Sequence, residues 1–164
     1  RQLTERAVEL MDAGPDDRVL DLFCGLGNFS LPLARRAGSV LGVELEGALV
    51  EAAEANARRN GLDNAAFRTA DLQQPPERLD WLRGAFDGVL IDPPRSGALD
   101  VLPLVAASGA RRVVYVSCDP ATLARDAGEL VQTHGFELKQ AGVADMFPHT
   151  AHVESLAVFE REAA

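Results

Sequence analysis

The chain has 164 residues, 47% of them hydrophobic, which suits one domain with a sizeable core and excludes a disordered polymer. Sixteen Lys and Arg against 25 Asp and Glu give a formal net charge of −9; taken alone, that balance argues against a nucleic-acid partner, because phosphate contacts need cations. No apolar run approaches the ~18 residues of a membrane span, and no basic-then-apolar signal segment stands at the start, so no membrane association is expected.

In chain order, residues 2–13 carry apolar positions at helical spacing and are stopped by Gly14-Pro15. Residues 18–22 (RVLDL) read as a short strand that runs into the turn CGLGN and a helix to about residue 36. A second strand is expected over 39–43, a helix over 48–60 closed by Gly61, and a weak third strand over 65–69. Then come a strand over 86–91, a helix over 98–107, a strand over 112–116 and a helix over 121–134 stopped by Gly135. Residues 136–144 and 153–160 read as two last strands with no helix between them.

Alternating strands and helices predict a mainly parallel sheet covered on both faces. The last two strands are joined by DMFPHTAH, too short for a crossover helix, and so should form an antiparallel hairpin. A doubly wound sheet with that ending resembles the Rossmann-like class I methyltransferases. The likeness implies a seven-stranded sheet in the order 3-2-1-4-5-7-6.

In such sheets ligands sit beyond the carboxyl ends of the strands, at the switch point beside the first strand. There Gly25 and Gly27 permit a tight turn, and Glu44 ends the second strand where a carboxylate can accept ribose hydroxyls. NAD is the rival ligand. The third glycine of its fingerprint is Ser30 here, and acidic Asp21 stands in the turn with no extra donors for a pyrophosphate. S-adenosylmethionine has no phosphate and carries a sulfonium cation, which suits acids. Asp71, after the third strand, is a candidate for the adenine amine, and Asp92, after the fourth, for the amino-acid end or the methyl. Each carboxylate alone reads more readily as a cap or loop residue; four at successive strand ends are harder to assign that way.

The stretch VVYVSCDPATLARD, residues 113–126, ends a strand in Cys118 and starts a helix with Asp119 as cap and Pro120 in the first turn. A lone cysteine is most often packing, but this one lies on the ligand edge near Asp92 and at a helix N-terminus, which acidifies a thiol. Pyrimidine C5 is a poor nucleophile that thiolate addition at C6 activates; the reaction then needs a base for the C5 proton. Glu154, second residue of an antiparallel last strand starting at the same edge, is the candidate, at a strand spacing of about 4.8 Å. It reads otherwise as a solvated strand-end acid. Cys24 is a weaker nucleophile candidate, two strands away on the cofactor turn. Asp92-Pro93-Pro94-Arg95 carries arginine where adenine-N6 methyltransferases stack an aromatic residue, so amine methylation is disfavoured. His149 and His152 form an HxxH pair without a cysteine nearby in sequence, and no metal site is expected.

Together DLFCGLGNFSLPLA, GVE, DPPRSG, YVSCDPATLARD and DMFPHTAHVES resemble the RNA uracil-C5-methyltransferases, the 23S rRNA branch before the tRNA branch. The resemblance runs from about Asp21 to Phe159. It implies Cys118 as nucleophile and Glu154 as proton-abstracting base. Phe23, Asn28, Glu44, Asp71 and Asp92, with the backbone at Gly25, fall on the positions that contact S-adenosylmethionine. Cytosine-C5 enzymes also carry a thiol after the fourth strand; DPPR has none, which favours uracil. Asp119 stands where the family usually has Asn, and its charge is expected to slow thiolate formation while still capping the helix. Family members carry N-terminal RNA-binding domains, often with a four-cysteine iron–sulfur cluster, that have no counterpart in these residues. Residues 1–164 are therefore expected to be one catalytic domain of a longer protein. It would act as a cytoplasmic monomer and hold RNA, rRNA rather than tRNA, mostly through those other domains. A non-catalytic S-adenosylmethionine-binding module and a small-molecule methyltransferase are the competing readings.

Overall fold

A computed structural model describes residues 2–74, 76–83, 85–145 and 153–163. The chain opens with α1 (Gln2–Met11) and β1 (Arg18–Leu22), then α2 (Ser30–Ala34), β2 (Ser39–Glu44), α3 (Gly47–Arg59) and β3 (Ala65–Thr69). A 3-10 stretch (Pro76–Leu82) precedes β4 (Gly88–Ile91), and another (Leu99–Val101) leads into α4 (Leu102–Ala107). The rest is β5 (Arg112–Ser117), α5 (Pro120–Gln132), β6 (Glu137–Asp145) and β7 (Val153–Glu160).

The seven strands form one sheet in the order β3-β2-β1-β4-β5-β7-β6, as the likeness to class I methyltransferases implies. The first five in that order are parallel, and β7 is antiparallel to both β5 and β6. The hairpin predicted from its short connection is present. Most of that connection, with His149 and His152, lies outside the described residues.

Alternation along the strands divides the core between two faces. Val113 and Tyr115 of β5 and Ala157 and Phe159 of β7 pack with α4 and α5 in one cluster. Val114, Val116, Leu156 and Val158 pack with α1 and α2 in the other. Each fully buried Leu, Val or Phe contributes roughly 1.5–3 kcal/mol, and strands covered on both faces read as unbroken apolar runs. That is why β4, buried at all four positions, was legible as a strand.

Three elements differ from expectation. The second helix stops at Ala34 because the Leu33 carbonyl accepts the N–H groups of both Arg36 and Ala37, which tightens the turn. Phe86 and Asp87 lie outside β4; Asp87 Oδ2 accepts the Arg18 N–H at 2.8 Å, binding the start of β1 instead of extending the ladder. The helix expected from residue 98 begins as 3-10 and turns α only at Leu102.

A candidate active site at the carboxyl edge of the sheet

All five parallel strands end on one edge, and β7 starts there. The β5–β7 register pairs Ser117 with Ser155. β5 ends there, so Cys118 stands one residue past that pair, and Glu154 precedes Ser155 on β7. Side chains alternate between faces, and Val114, Val116, Leu156 and Val158 all belong to the α1–α2 face. Alternation sets Glu154 on that same face, and Cys118 and Asp92 follow directly on the ends of β5 and β4. Burial pushes Asp92 up to about 6, and the charge of Glu154 adds to the push, so the two acids face one site. Cys118 is half-buried, open enough to meet a substrate.

The loop after Cys118 folds as the sequence predicts. Asp119 caps α5, its Oδ1 accepting the N–H groups of Ala121 at 2.9 Å and Thr122 at 3.2 Å. The carboxylate expected to oppose the thiolate is thus engaged by the helix end. Cys24 is different. It is buried, and burial together with Asp21 and Glu44 raises its thiol far above the ordinary range, which removes it as a nucleophile.

A cavity of about 430 Å³ opens beside these groups, within the roughly 300–1,000 Å³ of small-molecule sites. Phe23, Glu44, Asp71 and Asp92 line it together. Gly25 and Asn28 lie on the turn after β1, and Cys118 and Glu154 at neighbouring strand ends, outside its lining. Sequence reasoning assigned no role to Leu45 and Leu72, which form its apolar walls together with Pro93 and Pro94 of the stiff loop after β4. Leu45 carried a usable signal: a large apolar residue directly after a strand-end acid, left 59% exposed.

The acids are fixed by the backbone. Glu44 Oε2 accepts the Gly25 N–H at 3.0 Å, while Oε1 accepts those of Leu45 and Glu46. Asp71 accepts from the Gln74 side chain at 2.9 Å and the Gln73 N–H at 3.0 Å, and these bonds hold it below the usual carboxylate range. A carboxylate has about four acceptor positions, so each keeps room for a ligand donor. Phe23 sits at φ 62, a conformation costly without glycine and concentrated at functional loops. At Gly25, φ is +53 and an added Cβ would meet nothing within 4 Å, so the backbone is open to a ligand.

This donor set suits S-adenosylmethionine better than a dinucleotide. Among the described residues three carboxylates and no Lys or Arg line the cavity, which favours a cation over a pyrophosphate, and the apolar walls suit an adenine. Fully buried Asp21 stands behind the turn, bonded by the Ser30 hydroxyl at 2.5 Å, with its Oδ1 lacking a hydrogen-bond partner. A cleft of about 410 Å³ at the opposite end, lined by Arg111, Arg112 and Arg161 among others, lies away from the carboxyl edge where parallel sheets bind ligands.

Asp21 has a measurable consequence. Burial pushes it up to about 7, Asp92 and Glu44 add to the rise, and the Ser30 bond opposes it. A folded-state value above the unfolded one means that its stability contribution is fully present below about pH 4. It is lost as pH rises through about 7, a change on the order of 4 kcal/mol. Asp21→Asn carries no such charge. The difference in unfolding free energy between the Asn variant and wild type should therefore shift in favour of Asn from pH 4 to pH 8. Denaturant titrations of the purified chain check this; a pH-independent difference would contradict it.

A family model described as tRNA (uracil-5-)-methyltransferase matches residues 1–162. The chain is 64% identical over 163 residues to a 23S rRNA (uracil(1939)-C(5))-methyltransferase, RlmD, of Alkalilimnicola ehrlichii, covering 99% of this chain and 37% of that protein. It is 59% identical over 161 residues to RlmD of Xanthomonas campestris pv. campestris strain 8004, covering 98% of this chain and 36% of that protein. Among solved structures it superposes on the Pyrococcus abyssi tRNA (uracil-54, C5)-methyltransferase in complex with S-adenosyl-L-homocysteine, with a TM-score of 0.79 and 31% identity. That match covers 96% of this chain and 37% of the other.

Proposed function

Since the chain belongs to the tRNA (uracil-5-)-methyltransferase family, we propose that it is the catalytic domain of a longer protein that methylates C5 of a uridine in RNA. The observation that supports this reading is the β5–β7 register, whose Ser117–Ser155 pair leaves Cys118 and Glu154 at adjoining strand ends on the edge that holds an acid-lined cavity. The 64% identity to an rRNA enzyme favours 23S rRNA over tRNA.

S-adenosylmethionine, when bound, supplies an electrophilic methyl group. Glu44 would take the ribose hydroxyls, Asp71 the adenine amine and Asp92 the end nearest the reaction, with Phe23 as a wall and Gly25 and Asn28 on the covering turn. Cys118 would add through Sγ to C6 of the pyrimidine and give C5 carbanion character; C5 would then bond the methyl carbon as that carbon's bond to the sulfonium sulfur breaks and S-adenosylhomocysteine leaves. Glu154 then takes the C5 proton. The electron pair of that C–H bond restores C5=C6 and expels the Cys118 thiolate. No thiol follows β4, which supports uracil over cytosine as the substrate.

Reaching a base in folded RNA requires it to leave its stack. A net charge of −9 supports a reading in which most phosphate contact comes from other parts of the longer protein. No described helix is long and apolar enough to cross a membrane. The two free cysteines fit a reducing compartment, which supports extending the reading to the cytoplasm. The test is direct. The full-length parent, incubated with S-adenosylmethionine and 23S rRNA, should generate 5-methyluridine, detected by mass spectrometry of the digested nucleosides. Methylation of cytidine or adenosine instead would contradict the reading.

A further inference from the structure

The geometry points to Arg125 and Asp126 of α5 as positioning residues that fasten the Pro93–Pro94 wall of the cavity to the strand and helix carrying Cys118, an inference that rests on the reading of Cys118 above. Asp126 is fully buried in the middle of a helix, where an unpaired carboxylate is costly. It is satisfied from three elements. Tyr115 of β5, three residues before Cys118, donates its hydroxyl to Oδ2 at 2.5 Å. The Ala98 N–H, at the end of the loop that starts with Asp92, donates to the same oxygen at 2.7 Å. Arg125 donates Nε to Oδ1 at 2.9 Å, and its Nη2 reaches both Oδ1 and the Ser96 carbonyl at 2.8 Å.

The loop is therefore held at two points. Its first residue is tied to β1, the Asp92 N–H donating to the Leu22 carbonyl at 3.3 Å. Its end is tied to α5. Between them it turns back on itself, the Gly97 N–H donating to the Pro94 carbonyl at 2.9 Å. Gly97 has φ +84, and an added Cβ would lie 2.6 Å from Arg125 Nη2 and 2.7 Å from Asp126 Oδ2, so the loop closes directly on the clamp. One carboxylate thus sets the distance between the cofactor wall and the nucleophile. Misplacement of reacting groups by about 1 Å can cost on the order of a hundredfold in rate.

Two substitutions in the full-length parent test this. Arg125 is 46% exposed, so Arg125→Ala cuts its ties to the Ser96 carbonyl and to Asp126 Oδ1 with little loss of packing. Tyr115→Phe keeps the buried ring and deletes only the hydroxyl. At a temperature where circular dichroism shows both variants folded, each should weaken S-adenosylmethionine binding, by calorimetry, and slow single-turnover adduct formation with 5-fluorouridine RNA. Each loss should be on the order of tenfold, with RNA affinity unchanged. A merely structural role predicts a lower Tm with wild-type affinity and adduct rate, and that result in both variants would overturn the inference. A wild-type protein that forms no adduct would instead sink the reading of Cys118, while the binding measurement would still decide whether the clamp sets the cavity wall.

Discussion

Cys118→Ala in the full-length parent should abolish methyl transfer while leaving S-adenosylmethionine affinity within about twofold of wild type. The expected drop in kcat is at least ~10⁴-fold, since deleting an attacking nucleophile typically costs that much or more. Without addition at C6 the ring carbon has no carbanion character, and no other thiol can substitute. Cys24 is buried and held protonated by burial and two neighbouring carboxylates. Cofactor affinity should survive because Cys118 lies outside the lining of the cavity. Steady-state kinetics and calorimetry on the same preparation separate the two effects. Loss of both together would place Cys118 in the cofactor site and undo its assignment as nucleophile.

Glu154→Gln should give a different defect. Glutamine matches the shape of glutamate but cannot accept the C5 proton. Addition and methyl transfer can proceed, whereas elimination cannot. Turnover should fall about 10²–10⁴-fold, the usual share of a general base, and a covalent protein–RNA complex should accumulate. The substitution also removes the charge that helps raise Asp92. Asp92 should then ionise at lower pH, and the variant's S-adenosylmethionine affinity should hold to lower pH than that of wild type. A denaturing gel shows the complex. Rapid turnover without it would assign the proton to another group.

Much of this was legible in the sequence because the central strands are apolar on both faces and each ends in a chemically distinctive residue. Periodicity located β1, β3 and β7 to the residue. Strand order did not follow from periodicity, since nothing local says that β7 inserts between β5 and β6; it came from the family resemblance. The proposed nucleophile and base stood out in the sequence because each lies at a strand end and β7 runs antiparallel to β5, which puts both on one edge of the sheet. The cavity walls did not, because Leu72 carries no chemistry of its own and Leu45 signals only by standing, large and apolar, directly after a strand-end acid. The 3-10 stretch over Pro76–Leu82 lacks an apolar period. The clamp was hidden because a charged pair inside a helix ordinarily reads as solvated. Its signal was spacing: Asp126 falls on the stripe set by Leu123 and Leu130, the buried face of α5.

The opposition of Cys118 and Glu154 across one pyrimidine is tested most directly with RNA bearing 5-fluorouridine, in which a C–F bond replaces the C–H bond that Glu154 must break. Wild-type full-length protein, given S-adenosylmethionine and this RNA, should stop as a covalent complex. After digestion, the modified nucleotide should map by mass spectrometry to the peptide containing Cys118. A nucleotide attached at Cys24, or uridine methylation that proceeds while 5-fluorouridine RNA leaves the protein unmodified, would contradict the mechanism.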